Sequence, residues 1–426
     1  MAYSSGLSKN RINLLIMSKF KIILIILIYL SAQSFFNPLG VISAQLSKFL
    51  FYGFSLVGLF VALRNKTRIK QRYPSKAYWL MMTAIILSVL SVWIFYDQPF
   101  VVSLVTTLPT IFSYLFFFIL LKYSPDKVLL MKFVKIMVVC SFVMYIANML
   151  SFPNMIFGAG QDEYDDSRGF VRLGVPMIEF VILWLFYSVN QWIIFGRKKW
   201  LVWIAITGFL VVMSLTRQVI LISVVFSFWM ILQKAKLWKK IAVIAAVTFF
   251  SMFVLPEIPI YKGMMEVSQK QAEDNKYKNE DIRITAWRFY TVEYQENIVT
   301  RIMGNGLPSL GNSIRGNKFE KTVALEYSGN GCYYVDVGWA GFYWLYGVFG
   351  VLGLLTLLVK ASLCSLRKKK KYQFYWLLFI IVSSVSSAQI LFYSQVVSLC
   401  IVLYLIFGND YERKNKIHSV GYPQLQ

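Results

Sequence analysis

Residues 77–95 read AYWLMMTAIILSVLSVWIF, from Ala77 to Phe95, without one charged side chain. At about 1.5 Å of rise per residue such a run crosses most of a bilayer core roughly 30 Å thick. The block from Phe20 to Leu30 is of the same kind, interrupted only by Lys21. Inside lipid no water is present to satisfy backbone N–H and C=O groups, so these blocks are expected to be helices. The whole chain follows the same composition: 426 residues, 58% hydrophobic and 15% charged. Soluble domains carry about a quarter charged residues, so an ordinary soluble domain is excluded.

A formal charge of +24 would point to nucleic acid in a soluble protein. Here the cations gather in short runs between apolar blocks: Arg64 to Lys70, Arg197-Lys198-Lys199, Lys234 to Lys240 and Arg367 to Lys371. Alternate connectors lack them; Tyr96-Asp97-Gln98-Pro99 has none, and Gln161 to Asp166 is acidic. That alternation is the positive-inside pattern, which makes the basic runs cytoplasmic and argues against a nucleic-acid partner. Lys9, Arg11, Lys19 and Lys21 precede or open the first apolar run with no convincing small-residue cleavage site, so a retained first helix is expected. Of Cys140, Cys332, Cys364 and Cys400, only Cys332 falls in a segment expected outside, and no CxxC metal pattern exists.

These signals place about twelve passes with both ends cytoplasmic, an all-α polytopic membrane protein with one large external loop containing short helices. Residues 1–255 carry the first nine passes, 256–336 form the external loop, and 337–426 carry the last three and a cytoplasmic tail. Two short passes, about 200–214 and 218–233, meet at Leu215-Thr216-Arg217; one long helix there would hold Arg217 in mid-bilayer, at a cost of about 2.5–3.5 kcal/mol. Phe374 to Phe407 reads as two short passes broken near Ser383–Gln389. In the loop, Ile284, Trp287, Tyr294, Ile298 and Ile302 recur near helical spacing, so an amphipathic helix is expected to roof a cavity.

The strongest chemical signal is arginine on the outer side. Arg168 and Arg172 are four apart and share a helical face, which Glu179 continues inward. Arg217 sits at the turn of the short pair, and Arg283 and Arg288 lie on the loop helix. Guanidinium grips phosphate oxygens bidentately and never loses its charge. Against this stands snorkelling with salt bridges to Asp162–Asp166 or Glu179. That bland reading is at least as good for Arg168, whereas Arg172 and Arg217 favour function. Glu179 is a proton carrier or a counter-ion for Arg172 or Arg217, the latter preferred. The acidic run from Asp162 to Asp166 reads as a solvated loop rather than a metal site. Gly304-Asn305-Gly306 lacks the Lys of a phosphate-binding P-loop, and is a substrate-lining turn or a plain surface turn.

The single histidine, His418, falls in the expected cytoplasmic tail, so an external base must be a carboxylate. Asp336 is best placed, just before a helix re-enters the membrane; burial there would raise its pKa, and a helix N-cap is its alternative role. Trp287, Tyr290, Tyr333, Tyr334 and Trp339 are expected on the outer side, where aromatics are the ordinary interfacial anchors.

Arg217 between short passes, the loop arginines, Gly304-Asn-Gly306, and Tyr334-Val-Asp336-Val-Gly338-Trp-Ala-Gly341 followed by Tyr346-Gly347-Val-Phe-Gly350 resemble the O-antigen polymerase (Wzy) group of the O-antigen polymerase and ligase superfamily. The resemblance covers about residues 165–360. It implies an inner-membrane transferase whose site faces the periplasm under the large loop, needing neither metal nor cofactor. Its substrate would be an oligosaccharide on undecaprenyl pyrophosphate, drawn from the membrane lipid, with a polysaccharide chain-length regulator as partner. Asp336, Arg217 and Arg288 would be catalytic; Arg172, Arg168, Arg283, Gly304, Gly306 and Tyr334 would bind substrate. Related ligases carry an external histidine that is missing here, which counts against the ligase alternative. A flippase for the same lipid is the rival from another class, expected to show repeat symmetry that this chain lacks.

Overall fold

The computed structural model describes residues 19–33, 42–65, 73–158, 173–233, 282–293, 297–309 and 333–408, and every regular element among them is helical. A helix over 19–32 is α1. It is followed by α2 (Ala44–Arg64), α3 (Ser75–Tyr96), α4 (Phe100–Tyr123), α5 (Lys127–Ser151), α6 (Ile178–Phe195), α7 (Lys199–Met213) and α8 (Arg217–Leu232). Two short loop helices come next, α9 (Ile282–Arg288), extended by a π-helical turn at Phe289–Glu293, and α10 (Ile298–Met303). A 3-10 turn at Tyr334–Asp336 then leads into α11 (Gly338–Arg367), α12 (Lys371–Ser383) and α13 (Tyr393–Phe407).

Among the described residues, six helices are long and apolar enough to cross a membrane: α2 to α6 and α11. The sequence leads one to expect about twelve passes. The others fall on α1, α7, α8, α12 and α13, which are shorter in their described lengths, and on residues 241–255, which lie outside the described residues together with most of the expected external loop. The 15 residues of α7 and α13 span about 22 Å, short of a roughly 30 Å core.

The connectors segregate to two ends. At the basic end, the Asn65 amide donates to the Lys122 carbonyl (2.9 Å), Lys371 Nζ to Gln233 Oε1 (2.7 Å), and Lys368 Nζ to the Ile406 carbonyl (2.6 Å). The opposite end gathers Tyr96 to Pro99, Ser214 to Arg217, the loop helices, Asp336 and the 384–392 turn. Between the ends, α13 is buried on every side from Val396 to Phe407, packed against α4, α11 and α6. Helix α3 lies against α11 so closely that a Cβ on Gly353 would stand 2.7 Å from the Met81 nitrogen, the small-residue contact by which helices pack without a hydrophobic drive in lipid.

Two breaks in the helices shape the non-basic end. Inside α11, Gly347 departs from helical geometry (φ 66, ψ −172), which strips partners from the carbonyls of Trp344 and Leu345. The Asn305 and Gly306 N–H groups fill that gap, donating to Trp344 O (2.8 Å) and Leu345 O (2.9 Å). The Asn305 side chain adds a second bond to Trp344 O (3.1 Å) and accepts from the Tyr96 hydroxyl (2.5 Å). Gly304-Asn305-Gly306 is therefore a buried plug in a helix break, and the surface-turn expectation does not hold. The second break is the expected one near Ser383–Gln389. Irregular backbone at such depth survives only where protein surrounds and satisfies it, and donors reach this turn from three directions.

The loop helix differs from its expected form. Residues 284–302 do not make one helix, because Asn297 caps a new start at α10, its side chain accepting from the Thr300 N–H (2.9 Å). Its buried face is Ala286, Phe289 and Tyr290 rather than the isoleucine stripe; Ile284 and Ile298 are exposed. The aromatic pair wins because Tyr290 packs on Trp344 (centroids 5.1 Å) and Tyr334 on the same indole (5.6 Å), which offers more buried area than an isoleucine face.

Candidate functional site

Helix α12 ends at Ser383 with carbonyls that its own helix cannot satisfy, and three separated segments supply the donors. From the start of α8, Gln218 Nε2 donates to Ser383 O (2.8 Å), while its Oε1 accepts from the Ser386 hydroxyl (2.8 Å). From α9, the Trp287 indole N–H donates to Val385 O (2.9 Å). From the start of α11, Trp339 donates its backbone N–H to Ser384 O (2.9 Å) and its indole N–H to Ile381 O (2.9 Å). Gly338 permits this approach: a Cβ there would sit 2.7 Å from Ser384 O and strike Ser387 O.

The segments that carry the expected groups converge on this turn. Arg217 precedes Gln218, Arg283 and Arg288 flank Trp287 in the same short helix, and Asp336 lies two residues before Gly338. Arg217 is the first residue of α8, where a cation opposes the helix dipole at a cost of roughly 0.3–1 kcal/mol, so helix-end electrostatics do not explain it. The Arg283 guanidinium acts on Asp336, opposing the rise in carboxyl pKa caused by the protein packed around its base. Arg288 instead pairs with Glu293 across the π-helical turn (2.9 Å). Both partners are largely exposed, so the pair adds little stability. Of the two arginines on α9, Arg283 is thus the neighbour of Asp336.

Some assignments change. Asp336 lies in the 3-10 turn and Val337 occupies the cap position of α11 without a side-chain hydrogen bond, so Asp336 is not the N-cap. Tyr334 is largely enclosed between Tyr290 and Trp344, and burial raises its phenol pKa. Its ring is committed to packing. Gly304 and Gly306 lie in the segment that fills the break at Gly347. Glu179 is buried in the bundle; its carboxyl bonds its own backbone and the Gln395 side chain, not a guanidinium of α8. Arg168, Arg172 and Asp162–Asp166 lie outside the described residues.

Sequence reasoning misses Gln218 and the serines of the 383–387 turn as site builders. Four serines within five residues of an otherwise apolar run are the available signal, as is a glutamine following Arg217. Among the described residues no cluster of His, Cys, Asp and Glu could hold a metal ion. No protein-family model matches the chain, and no curated protein matches it.

Proposed function

We propose that this chain is a polysaccharide polymerase of the inner membrane, joining undecaprenyl-pyrophosphate-linked oligosaccharide repeats on the periplasmic side. What supports the reading is that the segments carrying Arg217, Arg283 and Asp336 each bond the polar turn after α12, through Gln218, Trp287 and Trp339, and that the Arg283 charge acts on Asp336. A hydroxyl of one lipid-linked repeat attacks the reducing-end anomeric carbon of another chain. The new glycosidic C–O bond forms as the bond to pyrophosphate breaks, with inversion. The guanidiniums hold the pyrophosphate and stabilise the charge that develops on it, while Asp336 takes the acceptor proton. Arg288 is set against Glu293. Alternatives for the same lipid substrate are ligation to another acceptor and flipping.

Deleting the gene separates them. A missing polymerase leaves single repeats at the surface without a ladder of longer chains, resolved by gel analysis of the surface glycan. Long polymer stranded on the lipid carrier would mean a ligase, and repeats confined to the inner face a flippase.

A pH profile tests Asp336. A base works ionised, so activity falls as pH drops through its raised pKa. Arg283→Gln removes the opposing charge and is expected to move the acid limb of kcat/KM to higher pH. For stability the sign reverses: the ionised form is penalised in the folded state, so Asp336→Asn is expected to melt at or above wild type at neutral pH. An acid limb that Arg283→Gln leaves in place would remove Asp336 from the mechanism.

A further inference from the structure

Helices α7 and α8 form a hairpin that packs inward on α6 and α12 and keeps apolar side chains exposed, among them Val202 and Val212 on α7 and Leu221 and Trp229 on α8. Their 15 and 16 residues measure about 22–24 Å, whereas α3, α4 and α5, with 22, 24 and 25 residues, measure roughly 33–38 Å. Tilt cannot close the gap, because tilting only shortens the span of a helix along the bilayer normal. A hydrocarbon core of about 30 Å therefore exceeds the hairpin by about 6–8 Å.

The deficit falls on one leaflet. At the basic end, Arg197, Lys198 and Lys199 open α7, with Lys199 over the Trp200 ring (5.2 Å) and Lys135 of α5 over Trp203 (5.3 Å). Trp229 lies in the last turn of α8. Aromatic and cationic side chains anchor helix ends at the headgroup level, so this end is held at its interface. At the other end Arg217 opens α8 and is exposed. Leu221 (64% exposed) and Val224 (48%) follow it four and seven residues on, so the face that starts with Arg217 continues as apolar surface turned to lipid. In a flat bilayer that guanidinium would stand below the headgroups. Its long side chain can snorkel upward, but the half-exposed Thr216 at the tip of the turn cannot, and α7 ends in Val212 and Met213 with nothing long and polar to reach out.

We infer that the bilayer is thinned beside the α7–α8 hairpin, the leaflet on the non-basic side dipping by about 6–8 Å so that phospholipid headgroups and water meet the turn at Arg217. The partner of this face is the phospholipid of the membrane itself. A second copy of the chain would cover the apolar residues yet leave the turn equally far below the headgroups. The inference is independent of the polymerase reading, since it follows from helix lengths and from where charge and exposure fall.

Electron cryo-microscopy of the full chain in dioleoyl phosphatidylcholine nanodiscs tests it. The headgroup layers are expected about 22–24 Å apart beside α7 and α8, and about 30 Å or more apart beside α3. A second measurement places a fluorescent unnatural amino acid at Val212 or at Ile94, both exposed near the non-basic ends of their helices. With the dip, iodide in the water quenches the two probes to within about twofold of each other. A bilayer of uniform thickness overturns the inference, as does a Val212 probe quenched severalfold less by iodide, and more by lipids brominated at mid-chain, than the Ile94 probe. A Val212 probe that neither quencher reaches, with a dimer in native mass spectrometry, gives the face to a second copy and also overturns it. The thickness is read on the unaltered chain, so the result does not depend on the labelled proteins folding.

Discussion

Arg217→Lys is expected to accumulate at wild-type levels and to lose about a hundredfold in polymerising rate, the scale seen when one oriented donor to a developing oxyanion is removed. Abundance should hold because lysine keeps the charge and the start of α8 is fixed by Gln218, whose amide is bonded at both ends to the 383–386 segment. Activity should fall because an ammonium presents a point charge where guanidinium presents a planar fork. Arg288→Lys is the internal comparison. Its side chain pairs with Glu293 at the surface, lysine can keep that pair, and a loss of no more than severalfold is expected. The assay is ladder formation from purified lipid-linked repeats, with protein quantified in the same membranes. Equal activities for Arg217→Lys and wild type would sink the phosphate clamp.

The largest effect on folding is expected at Gly306. Its φ is +80, and an added Cβ would lie 2.5 Å from Ser88 O and collide with Val92 Cγ2. Alanine there combines left-handed strain, overpacking against α3 and a weakened donor to Leu345 O, together roughly 3–6 kcal/mol. Gly196 provides the contrast: φ is +63, but nothing lies within 4 Å of where a Cβ would stand. Gly196→Ala should therefore cost only about 1–2 kcal/mol of backbone strain. Thermal unfolding in detergent, followed by size-exclusion chromatography, separates the two. Equal melting temperatures would mean that the Gly304–Gly306 segment is not held in the α11 break.

The helix ends show where sequence is informative. The turn at Leu215-Thr216-Arg217 and the break after Ser383 are readable because polar side chains interrupt apolar runs, and insertion energetics penalise them in mid-helix. The break at Gly347 is not readable. Gly350 and Gly353 follow at the same spacing and remain helical, serving the contact with α3, and the donors that permit the break come from residues 305 and 306. A local pattern cannot distinguish glycines with such different tertiary duties. The arginines and Asp336 stand out by residue type and position in the expected topology. The convergence of their segments on the 383–387 turn depends on long-range bonds from Gln218, Trp287 and Trp339, and the pairing of Arg283 rather than Arg288 with Asp336 is equally long-range. The isoleucine stripe misleads because periodicity reports an apolar face without saying which face has a partner, and here Trp344 supplies one to Tyr290.

The plug at Gly347 also sets an order of assembly. Synthesis runs from α3 through residues 304–306 to α11, so Tyr96 and the Asn305 and Gly306 donors emerge before the carbonyls of Trp344 and Leu345. A nascent α11 leaving the insertion machinery meets a ready-made set of donors, and it has no need to expose bare carbonyls to lipid while waiting for them. A circularly permuted chain that began at α11 would reverse that sequence of events and present the gap before the segment that closes it.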